Sequence, residues 1–315
     1  MRRRIAIIAL ILGIMTALSG CKRLVKPNDK TVTVYASFWP IYALTDAVMQ
    51  DVPDARLKLL VQPQDGCLRA YELSDWDAAI LGGADAVVMG GRGLESFERT
   101  LFQLGDNGPA LSATLYGLDL YSRPDTADAE SESHLAGPNP HLYMSVEGAR
   151  QLVDSLSATM QSLDPDYAEK YVRNAQSADD RLSRLLEDNR ALLAGCAGEK
   201  IILMNEALIY AAQDYGLEVA AWIDRESGEG MSDNELAECL EKLNEAGAKV
   251  VLIEKQAPQA LTAALERAGY SVARLDVFSA HREGEGFDAY IEWQSANARA
   301  ILDAFARAKT TEDLN

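Results

Sequence analysis

Short apolar runs alternate with longer amphipathic segments along most of this chain. Segments rich in β-branched and apolar residues predict strands at 31–37, 55–61, 200–204, 219–223, 249–253 and 271–275. Apolar residues at helical spacing predict helices at 41–49, 94–104, 145–163, 207–215, 232–246, 258–268 and 290–309. Two further apolar runs, 77–81 and 86–89, flank the Gly82-Gly83 turn. Strands that alternate with helices favour largely parallel sheets, so the pattern predicts an α/β fold.

The clearest predicted element is a long helix near the middle of the chain. Asp164 suits its N-cap, Pro165 its first turn and Gly195 its end. At 1.5 Å per residue this helix would be about 43 Å long, a length that suits a connector between two lobes. The alternative is a long helix on the surface of one lobe. Its predicted apolar stripe consists of Tyr167, Tyr171, Ala175, Ala178, Leu182, Leu185, Leu186 and Leu192.

The order of elements predicts two α/β lobes with mainly parallel sheets, joined by one long backbone helix and separated by a ligand cleft. The N-terminal lobe would span 32–145, a helical connector 146–195 and the C-terminal lobe 196–308, before a tail at 309–315. Ligands of open α/β sheets sit beyond the carboxyl ends of the strands, and clefts between lobes are common pockets. The cleft is therefore the expected binding site.

The N-terminus has the pattern of a lipoprotein signal. Three arginines, Arg2–Arg4, precede an apolar run at 5–17 and the sequence Leu18-Ser19-Gly20-Cys21. The apolar run is shorter than the roughly 20 helical residues that span a bilayer. We expect residues 1–20 to be cleaved, Cys21 to carry lipid, and residues 21–31 to form a tether. The alternatives are an ordinary signal peptide with a chance cysteine, or a signal anchor.

Composition excludes several classes of protein. The formal net charge is −18, and loss of the signal, which holds three arginines and no acid, lowers it to −21. Such a surface repels nucleic acid and anionic headgroups, so no nucleic-acid partner is expected. Apart from Cys21 the chain has three cysteines, Cys67, Cys196 and Cys239, an odd number that argues against a disulfide scaffold. The sequence does not decide whether Cys196 and Cys239 form a disulfide. The four tryptophans, Trp39, Trp76, Trp222 and Trp293, are expected in the core or at a lobe edge.

Several motifs occur in a fixed order. They are Val34-Tyr35-Ala36-Ser37-Phe38-Trp39-Pro40, Tyr71-Glu72-Leu73-Ser74, Ala84-Asp85-Ala86-Val87-Val88, Gly91-Arg92-Gly93-Leu94-Glu95, Asn139-Pro140-His141-Leu142-Tyr143-Met144, Asp164-Pro165, Tyr215-Gly216-Leu217, Glu226-Ser227-Gly228-Glu229-Gly230-Met231-Ser232 and Ile253-Glu254-Lys255-Gln256. In this order the chain resembles the metal-binding solute receptors of ABC importers, of the zinc and manganese type. The resemblance covers nearly all of 32–308, although the proline usual before Ser232 is missing. It implies two lobes on a rigid helix, with metal bound in the cleft.

The resemblance also implies four metal ligands from four loops, of which this chain keeps part. The second ligand falls on His141, and the fourth on Asp276, with His281 five residues later. The first position, usually a histidine, is Arg69. The third falls on Asn205, with Glu206 next to it.

Two interpretations follow. In the first, His141 and Asp276 bind metal with help from Glu206, His281 or Cys67. Imidazole and thiolate favour zinc, and more oxygen favours manganese. In the second, metal binding is lost, and Arg69 in the cleft would favour an anionic group. If Arg69 instead lies on the surface, it would neither prevent metal binding nor favour an anionic group.

The expected function is that of a monomeric, extracytoplasmic receptor, lipid-anchored to the cell membrane, that binds zinc or manganese and delivers it to an ABC permease. The alternative is a surface binding or adhesion protein with a degenerate site, which binds another small ligand or none. An extracellular enzyme is least supported, because the sequence has no nucleophile elbow and no His-Glu-x-x-His helix.

Overall fold

Two parallel sheets organise the protein. The structure, a computed structural model, describes residues 31–62, 68, 71–104, 108–122, 138–223, 225, 230–277 and 281–313. The described strands are β1 Val32–Ala36, β2 Ala55–Leu59, β3 Ala86–Met89, β4 Ala110–Ala113, β5 Lys200–Leu203, β6 Glu218–Trp222, β7 Val250–Glu254 and β8 Ser271–Leu275. The described helices are α1 Trp39–Met49, α2 Asp75–Leu81, α3 Glu98–Gln103, α4 Val146–Leu163, α5 Ala168–Leu192, α6 Ile209–Asp214, α7 Asp233–Ala246, α8 Gln259–Arg267 and α9 Phe287–Asp313.

Both sheets have the same strand order. The first runs β2-β1-β3-β4 and the second β6-β5-β7-β8, and every pairing is parallel. The predicted α/β fold with mainly parallel sheets is therefore confirmed. All five residues of β7 are buried, as expected of a central strand covered on both faces.

The structure groups 32–315 into one compact unit. The lobe boundaries at 145 and 196 stay a prediction. Within the described residues, none of the helices has the length and apolar character needed to cross a bilayer. The signal, Cys21 and the tether up to Lys30 lie outside the described residues.

Two short segments are more regular than their sequence pattern indicates. The run 77–81 belongs to α2, which starts with a capping box between Ser74 and Asp77. The Ser74 hydroxyl accepts from the Asp77 backbone N–H, and the Asp77 carboxylate accepts from Ser74 in return. Strand β4 was not predicted, because four residues carry too little pattern to identify a strand.

The long helix forms and begins at the predicted place, but it ends before Gly195. The Asp164 carboxylate accepts a hydrogen bond from Tyr171 Oη at 2.9 Å instead of capping the helix, and a 3₁₀ turn at Pro165–Tyr167 precedes α5. Gly195 lies inside another 3₁₀ turn, Ala194–Cys196, after α5 has ended. The 25 residues of α5 span about 38 Å. Its stripe from Tyr171 to Leu186 is buried as predicted, whereas Leu192 is 39% exposed.

Helices α4 and α5 pack along each other and form the spine of the molecule. Helix α1 contacts both of them, and α9 contacts α1, α5 and β8. Arg150 on α4 forms a bidentate ion pair with Asp179 on α5, with nitrogen–oxygen distances of 2.6 and 3.2 Å. Elements of both sheets therefore share one helical layer.

Cysteine and tryptophan positions settle two open questions. Cys196 and Cys239 are buried free thiols, so no disulfide joins them, and burial raises the pKa of each thiol. Trp39 and Trp293 are buried as expected. Trp76 is 74% exposed, so the prediction of a core or lobe-edge position is wrong for it. It occupies the first turn of α2, where polar neighbours leave its ring without a packing surface.

A segment after the second sheet reaches back to the first. We name residues 281–287 the strap. The His281 ring stacks on Trp39 of α1, with 4.4 Å between ring centroids. The Glu283 carboxylate accepts from the backbone N–H of Leu59, the last residue of β2, at 2.9 Å. The strap thus joins the end of the second sheet to elements of the first.

Candidate metal centre

The strands of the second sheet end in polar residues at one edge. Asn205 is the second residue after β5, Glu254 is the last residue of β7, and Asp276 directly follows β8. The strand order reverses between β5 and β7, which makes this the point of the sheet where ligands of open α/β folds sit.

His141 and Glu206 meet beside this edge. His141 Nδ1 lies 3.8 Å from Glu206 Oε1, and the two side chains are only 7% and 14% exposed. His141 directly precedes the 3₁₀ turn Leu142–Met144 before α4, and Glu206 opens the 3₁₀ turn after β5. Two of the predicted ligands, 65 positions apart in the sequence, are therefore close in space.

Asn139 fixes the orientation of the His141 ring. The amide Oδ1 of Asn139 accepts from the His141 backbone N–H at 3.0 Å and lies 2.8 Å from His141 Nδ1. The same amide donates through Nδ2 to the carbonyl oxygen of Glu206 at 2.8 Å, which identifies Oδ1 as the acceptor. Nδ1 therefore carries a proton, so Nε2 is the ring nitrogen that a metal ion would use.

Tyr210 completes this network. Its hydroxyl donates to the carbonyl oxygen of Asn139 at 2.6 Å and accepts from the backbone N–H of Tyr121 at 3.2 Å. Burial, with a smaller effect of the Glu206 charge, raises the pKa of Tyr210 to about 12. The phenol stays protonated, so it remains a donor that ties the segment before α4 to the segment after β5.

Asn205 has a structural role in this state. Its backbone is extended, with φ −155° and ψ 132°, and its side chain accepts from the Ala207 backbone N–H at 2.9 Å. It therefore caps the 3₁₀ turn that carries Glu206. Coordination of a metal by Asn205 Oδ1 would compete with this cap.

Asp276 and His281 line a separate cavity of about 710 Å³. The backbone of Asp276 is held by Asn297 of α9, which accepts from the Asp276 N–H at 2.9 Å and donates to its carbonyl at 3.0 Å. His281 Nδ1 lies 2.9 Å from Glu285 Oε2. The other lining residues are Lys255, Arg274, Glu292, Trp293, Ala296 and Asn297, all from the second half of the chain.

The predicted ligands thus fall into two groups. His141 and Glu206 form one, and Asp276 and His281 share the cavity. Among the residues that the structure describes, no three His, Cys, Asp or Glu side chains lie close enough to hold a metal ion together. Cys67 and Arg69 lie outside the described residues.

Sequence reasoning missed a buried ion pair at the same sheet edge. Arg225 Nη1 lies 2.5 Å from Glu254 Oε1, and the two side chains are 4% and 0% exposed. From the sequence, Glu254 could line the cleft after a strand or cap the next helix, and its pairing with Arg225 was not predicted. The available signal was a carboxylate at the end of the apolar run Val-Val-Leu-Ile, because a charge there is buried with the strand.

The first sheet carries a buried carboxylate at its equivalent edge. Glu95 accepts from the Ser37 hydroxyl at 2.7 Å and from the backbone N–H groups of Gly90 and Gly91 at 2.8 Å each. Burial raises the pKa of Glu95. The first sheet thus satisfies its buried carboxylate with neutral donors, and the second uses a cation.

Residues 34–304 match the sequence model of a family described as the zinc-uptake complex component A, periplasmic, or ZnuA. The chain belongs to the ZnuA family. The family resemblance inferred from the motifs is therefore confirmed.

The relatives are distant in sequence. The zinc-binding lipoprotein AdcA of Streptococcus pneumoniae (strain TIGR4) is 24% identical over 289 residues, which cover 88% of this chain. The chain spans only 56% of the length of AdcA. A putative metal-binding protein of Treponema pallidum is 22% identical over 98% of this chain and 99% of its own length. These relatives are named as binding proteins, in agreement with the expectation of a receptor and not an enzyme.

Solved structures support the fold. FpvC from Pseudomonas aeruginosa in complex with Mn²⁺ superposes with a TM-score of 0.76, at 22% identity over 89% of this chain and all of that chain. The Zn(II)-bound ZnuA-like domain of S. pneumoniae AdcA gives 0.70, at 23% identity over 87% of this chain and 98% of that domain.

Proposed function

We propose that this chain is an extracytoplasmic receptor that binds one divalent metal ion, zinc or manganese, and delivers it to an ABC permease. The observation that carries the proposal is the buried His141 ring, which Asn139 holds through Nδ1 so that Nε2 would be the nitrogen that binds metal, with the Glu206 carboxylate nearby on the Nδ1 side. The family is described as a periplasmic zinc-uptake component, and relatives include AdcA and the manganese-binding lipoprotein MntA of Halalkalibacterium halodurans.

The donor set suits this cargo. His141 supplies a nitrogen, and Glu206 and Asp276 supply negative charge near the strand ends, which favours a divalent cation. Asn205, His281 and Cys67 are the remaining candidate donors. Additional oxygen ligands would favour manganese, and an additional histidine or thiolate ligand would favour zinc.

Attachment and partners are part of the same proposal. Lipidation at Cys21 would hold a monomer at the outer side of the cell membrane, where the permease opens. The net charge of −21 that remains after loss of residues 1–20 favours accumulation of cations around the receptor.

Metal titration of the purified chain tests the proposal. Calorimetry with Zn²⁺ and with Mn²⁺ should give one site, and His141→Ala should weaken binding by about a hundredfold or more, because it removes the nitrogen donor. Glu206→Gln should weaken binding by about tenfold through loss of charge. The matched control Glu199→Gln changes an exposed carboxylate and should leave binding unchanged.

A folded wild-type chain that shows neither heat nor a change in Tm with either ion contradicts the proposal. That result would favour the alternative of a surface binding protein with a degenerate site.

A further inference from the structure

We propose that Arg225 acts as an internal counter-cation that withholds the Glu254 carboxylate from the metal and thereby disfavours hard, oxygen-preferring ions such as Mn²⁺. This inference rests on the proposed function, since it concerns selectivity at the same sheet edge.

The strand register puts Glu254 among the candidate ligands. Leu203 of β5 is level with Leu252 of β7, and the Met204 N–H donates to the Leu252 carbonyl at 3.0 Å, so the pairing continues past β5. Since Asn205 also has an extended backbone, it lies level with Glu254. On the other side, Glu254 pairs with Leu275, the residue before Asp276. Glu254 therefore lies between the two strand ends that carry predicted ligands.

The sheet order shows what the Arg225–Glu254 contact spans. Arg225 follows β6, which is an edge strand separated from β7 by β5. The contact therefore links the segment after β6 to the end of β7, on the far side of β5. It holds the positive charge of Arg225 at Glu254, which is level with Asn205.

Burial makes the charge of this pair consequential. Both side chains are almost fully removed from solvent, and a guanidinium stays protonated at any ordinary pH. A buried ion pair is a poor source of stability, because desolvation offsets most of the attraction. Glu95 in the first sheet shows that this fold can bury a carboxylate with hydroxyl and backbone donors alone.

The consequence of using a cation is electrostatic. Arg225 cancels the charge of a carboxylate that a metal would otherwise use, and it repels a second cation. Carboxylate oxygens suit Mn²⁺ better than they suit zinc, so withholding one lowers manganese affinity more.

A double-mutant cycle tests the inference. Dissociation constants for Mn²⁺ and Zn²⁺ are measured with a competing chelator dye for wild type, Arg225→Met, Glu254→Gln and the double variant. Arg225→Met should raise the affinity for Mn²⁺ relative to Zn²⁺ by about tenfold, because it removes the cation that balances the Glu254 charge. Glu254→Gln should weaken binding of both ions, since it removes the negative charge that faces Arg225. The double variant should return close to wild type.

Arg150→Met is the matched control. It breaks an ion pair within the α4–α5 spine and should leave both dissociation constants unchanged. If Arg225→Met fails to fold, Glu254→Gln and the double variant are compared. The double variant, which lacks the Arg225 charge, should bind both ions about tenfold more tightly than Glu254→Gln alone.

The outcomes separate this inference from the proposed function. Metal binding by wild type, with the same Mn²⁺ to Zn²⁺ ratio in a folded Arg225→Met variant, overturns the inference alone. If Arg225→Met does not fold, equal affinities of Glu254→Gln and the double variant overturn it. Binding only after loss of Arg225 supports the inference and contradicts metal receptor function in the natural chain. No binding by any folded variant contradicts both.

Discussion

Asp214, at the end of α6, shows how a single buried carboxylate links two elements. Its oxygens accept from the Ser145 hydroxyl at 2.8 Å and from the backbone N–H of Val146 at 2.5 Å, at the start of α4. Burial outweighs these hydrogen bonds and raises the pKa of Asp214 to about 6. The ionised carboxylate is therefore less favourable in the folded protein than in the unfolded chain.

This raised pKa predicts a pH-dependent difference between the wild type and Asp214→Asn. Stability from a raised pKa is present below the unfolded value of 3.8 and is lost as the pH rises through the folded value. Lowering the pH from 7 to 4.5 should therefore stabilise wild type relative to the variant by about 2 kcal/mol. Urea unfolding of both proteins at the two pH values measures this change in their difference in stability. A constant difference in the free energy of unfolding would contradict the assigned pKa.

Motifs predict single residues only where the chemistry is local. The Asn-Pro-His sequence identified His141, and its neighbour Asn139 proved to orient the ring. The pairing of Arg225 with Glu254 was not predicted, because it depends on the strand order, which brings the segment after β6 to the end of β7.

At the scale of elements, periodicity identified the helices better than it identified their ends. The buried stripe of α5 follows the predicted spacing, because its apolar residues face α4 and α1. Its first turn, Pro165–Tyr167, is a 3₁₀ turn, and the Asp164 carboxylate accepts from the Tyr171 hydroxyl, a side-chain contact that no capping rule includes. Short elements such as β4 lie below the length at which a pattern is visible.

Two leucines on α5 test the difference between its buried stripe and its exposed end. Leu182 is fully buried, so Leu182→Ala should lower the free energy of unfolding by about 2–5 kcal/mol. Leu192→Ala makes the same chemical change at a residue that is 39% exposed, and should cost about 1 kcal/mol or less. Guanidinium unfolding measures both. Equal losses would show that the assigned stripe is wrong.

At the scale of the whole molecule, alternation of strands and helices was enough to predict parallel sheets, since short connections permit few other arrangements. The repeated strand order and the shared helical layer follow from that pattern. The strap was not predictable, because its residues are mostly polar and glycine-rich and show no periodicity. Its contacts join residues that are far apart in the sequence.

The strap should contribute measurably to the stability of the entire fold. Glu283→Ala removes the acceptor for the Leu59 N–H and the ion pair with Lys58, and should lower the free energy of unfolding by about 1–2 kcal/mol. The control Glu266→Ala removes an exposed carboxylate on α8 and should change it by less than about 0.5 kcal/mol. Urea unfolding compares the two. A loss no larger than that of the control would mean that the strap does not hold the two sheets together.

The position of Trp39 gives the protein an intrinsic optical reporter. Its indole belongs to α1, yet it stacks on His281 and donates through Nε1 to the Glu285 carbonyl at 2.6 Å. Separation of the strap from α1 would transfer this indole from a buried, hydrogen-bonded setting to water and shift its emission to longer wavelength. With exposed Trp76 replaced by phenylalanine to reduce background, fluorescence would follow opening and closing without any attached dye.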